Sequence, residues 1–277
     1  MTTQTARTTA LGPATTGPTP DHSGFAAGLS DALTMIDRSV RINRRNLDTL
    51  LVSVILPVMM MLLFVFVFGG AIHAGSADYV NYVVPGILVL CTGYGASATA
   101  MSVTNDLTTG MIDRLCSLPI RSSAVLTGHV VASVARNAVS TACVVLVALA
   151  VGFRPTGSFV DWVLATGLLL LYVLALSWLA AGIGALARSV ESASLFGFFM
   201  LFLPYLSSAF VPPSTMPAVL RAIGENQPIT PVVEAVRGLL IGTPLGGSGW
   251  LALAWCAGLL VAGHAFATAA FVRRTRR

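Results

Sequence analysis

The sequence predicts an all-α integral membrane protein with six transmembrane helices, and three observations carry that reading. Hydrophobic residues make up 55% of the 277 and charged residues only 10%, with a mean hydropathy of +0.82; a soluble domain carries about 25% charge. Six uncharged stretches reach or approach the roughly 20 apolar residues that cross a bilayer. Basic residues collect on alternate connections between those stretches, as they do on the cytoplasmic side of a membrane. The 16 basic residues are all arginine. Without a lysine the chain has no G-x-x-x-x-G-K-[ST] phosphate loop, no Schiff-base lysine and no kinase-type ATP lysine. It is not expected to hydrolyse ATP itself.

Residues 1–24 begin with a stretch holding eight threonines among its first 20 positions, with alanine, glycine and proline filling much of the rest. No apolar core follows a charged start, so the segment reads as a disordered cytoplasmic tail rather than a signal peptide. Residues 25–48 differ. At about 100° per residue, Phe25, Leu29, Leu33, Ile36 and Val40 share one face, and Thr34, Arg38, Arg41 and Arg45 the opposite one. Such a basic amphipathic helix lies in the cytoplasmic interface, as a topology signal or as a functional lever.

The six-span domain covers residues 49–272. Its apolar stretches are Leu50 to Phe68, Tyr79 to Asn105, Asn137 to Phe153 with a few residues before it, Trp162 to Ala187, Ser192 to Leu220, and Trp250 to Val272. Pro57, Pro85 and Pro204 are expected to shape spans, and Gly93 to Ala98 to let helices pack closely. Arg38, Arg41, Arg44 and Arg45 precede the first span, and residues 273–277, rich in arginine, follow the last. Arg114, Arg121 and Arg188 fall on the same side, and only Arg154, Arg221 and Arg237 on the other. Both termini are therefore predicted to be cytoplasmic in a multi-pass protein of the cell membrane. Tyr79, Tyr82, Trp162 and Trp250 fall where an outer aromatic belt belongs. Anionic lipid accounts for the basic clusters, so no nucleic-acid partner is called for. Arg136 sits inside the third span; it either snorkels to the headgroups or makes a buried contact to a neighbouring span or a substrate path.

Two connections are patterned. Between spans 2 and 3, Leu107, Met111, Leu115 and Leu118 recur at helical spacing among Asp106, Gly110, Asp113 and Arg114, and Pro119 ends the run. A short cytoplasmic helix with an apolar ridge suits a partner's groove or the lipid surface. Between spans 5 and 6, Thr230 is placed to cap a helix with Pro231 at its first position, Glu234 and Arg237 to pair at i, i+3, and Gly242 to stop it. A dozen residues rise about 18 Å, too little to cross, so a re-entrant or outer helix is expected, preceded by another near Pro217 to Gly224. No metal-ligand spacing and no nucleophile motif occurs. Cys91, Cys116, Cys143 and Cys256 are expected to be free thiols, and His22, His73, His129 and His264 lack nearby carboxylates in the sequence.

The order Asp106, Gly110, Arg114-Leu115, Leu118-Pro119 and Gly128 resembles the ABC transporter type-2 permease family. Asp113 to Pro119 with Gly152-Phe153-Arg154-Pro155, Pro204 to Pro212, Glu225 to Pro231 and Arg237-Gly238 are similar to its daunorubicin/doxorubicin-resistance exporter permeases. The resemblance runs from about Arg38 to the C-terminus. It implies a permease, not an enzyme, that dimerises with itself or a related chain and binds two copies of a separate ATPase, which would hold ATP and Mg; no cofactor binds this chain directly. It implies that Asp106, Gly110, Asp113, Arg114, Leu115 and Pro119 form a coupling helix docked on the ATPase, with Arg38, Arg41, Arg44 and Arg45 as a second contact. The substrate would be a hydrophobic drug-like compound, or in the alternative a lipid or polysaccharide precursor. It would travel where the second and fifth spans face each other across the dimer, past Tyr94, Ser97, Phe198, Phe202 and Tyr205. Asn226, Gln227, Pro228, Glu234 and Arg237 would build the outer re-entrant segment. A stand-alone membrane enzyme or a scaffold is the reading of another class.

Overall fold

The computed structural model describes residues 47–69, 79–112 and 122–275. The tail, Arg38, Arg41, Arg44, Arg45, Asp113, Arg114, Leu115, Cys116 and Pro119 lie outside the described residues. Helix α1 spans Leu47–Leu62 and continues as a π-helical stretch, Leu63–Phe68. Then follow α2 (Tyr79–Thr108), α3 (Ser122–Val151), α4 (Phe159–Leu186) and α5 (Val190–Phe202). Single 3-10 turns at Leu203–Leu206 and Pro213–Thr215 lead to α6 (Ala218–Asn226), α7 (Ile229–Ile241) and α8 (Ser248–Thr275). No strand occurs among the described residues.

Five of these helices are long and apolar enough to cross a membrane: Leu51–Phe68, Tyr79–Thr108, Ala124–Val151, Phe159–Leu186 and Ser248–Thr275. The fifth expected stretch, Ser192 to Leu220, is not one helix. Its α-helical part ends at Phe202, and Pro204, which brings no N–H and crowds the preceding turn, sits in the 3-10 turn that follows. Together α5 and that turn rise about 28 Å. Local chemistry sets the starts. Ser158 and Asp161 form a reciprocal capping box on α4, and Ser189 and Ser192 form one on α5. Gly242, in the left-handed region at φ 74°, stops α7 as its position predicts.

Contacts between helices fix their directions. Gly184 of α4 lies on Ala100 of α2, and Gly263 of α8 lies on Ala175 and Leu179 of α4, so these three helices run parallel. Helix α3 runs the other way: His129 near its start meets Asp106 at the end of α2, and Arg154 beyond its end meets Asn81. Helix α1 is antiparallel to α2 as well, with Ser53 near Cys91 and Gly69 near Tyr79. So is α5, where Gly197 faces Ser97 and, farther on, Ser208 meets Tyr82. The bundle thus has a Tyr79 end, where α6 and α7 sit, and an Asp106 end.

The main core runs the length of α2 and α4 and takes in most of α7. A second cluster at the Asp106 end joins Val103, Ile112, Leu126, Val130, Trp178 and Phe271. Glycine makes the closest approaches possible. A Cβ on Gly86 would stand 2.6–2.8 Å from the backbone and Cβ of Ala209, so Gly86→Ala is expected to cost about 1–3 kcal/mol by overpacking. Thermal unfolding in detergent checks it against Gly167→Ala, where nothing lies within 4 Å and helix propensity favours alanine.

Three expectations are corrected. Thr230 does not cap α7: the helix begins at Ile229 with Pro228 as N-cap, and the Thr230 hydroxyl donates to the Gly224 carbonyl. Arg237 does not reach for Glu234, which is exposed; it turns inward, as described below. Tyr79 is no lipid-facing belt residue, being only 8% exposed, whereas Trp250 is 80% exposed and fits that role. For Arg136 the buried alternative holds. It sits mid-way along α3, is 7% exposed, and donates through Nη2 to the Gly95 carbonyl at 3.4 Å.

Candidate functional site

At the Tyr79 end, residues 207–210 follow no regular helix and are nonetheless buried. Irregular backbone at membrane depth is stable only when protein satisfies it. Here the side chains do so. Ser207 Oγ donates to the Pro204 carbonyl and accepts from the Ala209 N–H. The Ser208 carbonyl accepts from Tyr82 OH at 3.0 Å and from Arg237 Nη2 at 2.7 Å, and the Phe210 carbonyl from Tyr79 OH at 3.2 Å. Arg237 also donates through Nε to the Tyr82 carbonyl at 3.2 Å, with its guanidinium carbon 3.9 Å from the Tyr82 ring centroid. One cation therefore ties α7 to α2 and to the segment after α5. Burial lowers its pKa, and Tyr82 and Glu234 oppose that shift.

The rest of the expected outer segment is built around that tie. Asn226 Nδ2 donates to the Ala222 carbonyl within α6, and Pro228 opens α7. Gln227, only 8% exposed, fills the bend between them. The loop Gly152-Phe153-Arg154-Pro155 is fastened to the same assembly, with the Thr156 and Gly157 N–H groups donating to the Leu240 carbonyl at 3.0 Å and Phe153 fully buried.

The expected path residues fall into two groups. Tyr94 and Ser97 of α2 lie beneath Gly197 of α5, and Ser97 is buried with its hydroxyl donating to the Tyr94 carbonyl. Phe198 and Phe202 are exposed on α5, with Leu195 and Phe199 near them. Phe202 continues into an aromatic cluster: its ring lies 6.3 Å from Tyr205, which stacks on Phe210 at 4.8 Å, which stacks on Phe64 at 4.2 Å. Tyr205 OH donates to Met60 Sδ, joining α1 to this face.

At the opposite end, Asp106 and Gly110 are the expected coupling residues that the structure describes. Asp106 Oδ2 stands 3.3 Å from His129 Nε2, and Ser102 Oγ is 3.3 Å from His129 Nδ1. Gly110 takes φ 69°, ending α2 in the left-handed region that favours glycine. Beyond it Ile112 is fully buried among Leu126, Val130 and Phe271. The connection is thus anchored on both sides of the glycine, by the Asp106–His129 contact and by an apolar plug. His129 was invisible as a partner in sequence because 23 residues separate it from Asp106.

The family model described as ABC-2 type transporter matches residues 31–241. The chain belongs to the ABC-2 type transporter family. Among similar proteins is one named "Daunorubicin resistance ABC transporter permease protein", from Streptomyces coeruleorubidus, 30% identical over 253 residues, covering 91% of this chain and 87% of the relative. Proteins named "Probable doxorubicin resistance ABC transporter permease protein", from two strains of Mycobacterium tuberculosis, are 24% identical over 242 residues, covering 85% of this chain and 87% of theirs. As an ABC-2 chain this is a multi-pass membrane transport component that works with an ATPase partner. The ABC-2 match includes both the Asp106 connection and the Arg237 tie.

Proposed function

We propose that the chain is the permease subunit of an exporter that moves hydrophobic drug-like compounds out of the cell, driven by ATP hydrolysed on a separate subunit. Similarity over nearly the whole chain to permeases named for daunorubicin and doxorubicin resistance carries this reading. The alternating helix directions support six crossings, with α5 and its 3-10 turn as the fifth and shortest. In that arrangement the arginine-rich Asp106 end is cytoplasmic, where Lys and Arg belong. The connection from Asp106 to Pro119 and the helix bearing Arg38, Arg41, Arg44 and Arg45 then meet two ATPase copies, which bind ATP and Mg. The exposed face of Phe198 and Phe202 meets a second permease, identical or related, and the substrate passes along that seam.

Co-reconstitution with the ATPase from a neighbouring reading frame tests the proposal. Daunorubicin should accumulate in inside-out vesicles only with ATP and both subunits. Export by the chain without an ATPase, or stimulation by a lipid or polysaccharide precursor and by no drug, would overturn it. Replacing Arg114 and Leu115 together with alanine is expected to cut transport at least ten-fold while the permease remains in the membrane and the ATPase still turns over. Unchanged transport and pull-down would remove the connection from the coupling role.

A further inference from the structure

A cavity of about 410 Å³ lies between α3 and α4, floored by α2 and α7. Its size falls in the range of small-ligand sites, about 300–1,000 Å³. Leu88, Leu169, Val173 and Leu240 form the buried floor, while Ala142 and Leu146 stand on an exposed rim that faces out of the bundle. From Trp162 to Val173 the slot runs about 16 Å along the helix axes, at the depth of bilayer hydrocarbon when α3 and α4 cross it. An apolar void of this kind excludes water, and leaving it empty forfeits dispersion contacts along every wall.

Of the four polar residues in the walls, Thr92, Asn137, Thr141 and Thr166, the first two spend their donors on their own helices. Thr92 Oγ1 donates to the Val89 carbonyl, and Asn137 Nδ2 to the Ser133 carbonyl while its Oδ1 is packed against Gly95. Eleven of the fifteen lining residues are apolar, which favours a plain hydrocarbon chain. The loop that joins α3 to α4 is bonded to the backbone of Leu240, a lining residue, and carries Arg154, an exposed residue whose Nη1 is engaged by the Leu149 and Phe153 carbonyls at 3.0 Å. Asp161, the acid nearby in sequence, is committed to its capping box with Ser158. The remaining guanidinium N–H groups suit a phosphate oxygen, a charge-assisted contact that arginine makes well.

We propose that this slot holds one acyl chain of a bilayer phospholipid, with the lipid's phosphate on Arg154. The site is separate from the face of Phe198 and Phe202 and independent of which compound is exported. It rests on α3 and α4 spanning the bilayer.

The test is native mass spectrometry of the full-length chain released from nanodiscs of phosphatidylglycerol. Wild type should retain one phosphatidylglycerol per chain at detergent concentrations that strip the rest. Ala142→Phe and Thr166→Phe place a ring in the opening from exposed positions and should each lower retention at least ten-fold, with melting temperatures close to wild type. Arg154→Gln should lower it about three-fold, and Leu251→Phe on the exposed surface of α8 should not change it. Equal retention by wild type and Thr166→Phe would overturn the proposal even if Ala142→Phe failed to fold. So would displacement of the retained lipid by daunorubicin, which would make the slot a substrate site. Both readouts come from binding alone, so they stand or fall separately from the transport assay.

Discussion

Replacing Arg237 with alanine should unseat the whole Tyr79 end of the molecule. The guanidinium serves the Tyr82 and Ser208 carbonyls and lies over the Tyr82 ring. Hydrogen bonds from a charged donor contribute about 1.5–3 kcal/mol each, and the alanine variant also leaves the buried Ser208 carbonyl with one donor fewer. A loss of about 3–5 kcal/mol is expected, because the carbonyl contacts and the cation–π contact disappear together. Arg237→Lys should recover only part of it, since an ammonium cannot present the same planar fork to two carbonyls and a ring. Thermal unfolding of the detergent-solubilised chain reads the loss, and limited proteolysis after residue 206 locates it. Tyr82→Phe, which keeps the ring and removes one donor to Ser208, should fall between the two. A melting curve for Arg237→Ala superimposable on wild type would show that the 207–210 segment has other support.

The second large effect is expected at the other end, and on coupling rather than on folding. Asp106→Ala should lower substrate moved per ATP hydrolysed about ten-fold, with ATPase turnover largely retained. His129→Ala should do the same, and the double variant should be no worse than either. Such non-additivity is the signature of two groups acting through one contact, with interaction energies of about 0.5–3 kcal/mol. The reason is mechanical. Asp106 sits where α2 gives way to the connection, His129 in the first turns of α3, and the pair closes the base of the loop between them. A loop pushed from outside transmits displacement to both helices only if its base is closed. Additive losses, or losses that fall equally on ATPase rate and transport, would separate the pair from coupling.

The long helices were legible because hydropathy over some 20 residues is a local property, and a stop at Gly242 needs only neighbours in sequence. What escaped was decided across the fold. Arg136 lies within an apolar run, and contacts with another helix, among them the carbonyl of Gly95, make burial its environment. The i, i+3 spacing of Glu234 and Arg237 put the two within reach, yet the carbonyls of Tyr82 and Ser208 compete better for a cation turned inward than an exposed carboxylate does. Thr230 carries the right side chain for a cap, but the N-cap is Pro228, two residues earlier. Tyr79 and Tyr82 read as interface residues from position alone, and their hydroxyls are spent inside on the 207–210 segment. Pro204 was visible as an interruption; that the helix would stop at Phe202 and hand its remaining height to a 3-10 turn was not.

The glycine contacts among α2, α4 and α8 have a consequence for motion. Where Gly184 rests on the backbone of Ala100, and Gly263 on that of Ala175 and Leu179, two helices touch at the bottom of a notch rather than along a smooth side. Sliding either partner by one turn, about 5.4 Å, would carry a side chain into the space that only a missing Cβ provides. The three helices are therefore keyed against shear and travel as one block. Any change of shape that the transporter makes has to be taken up at its looser edges, in α1 with its π-helical stretch and in α5 with its broken end.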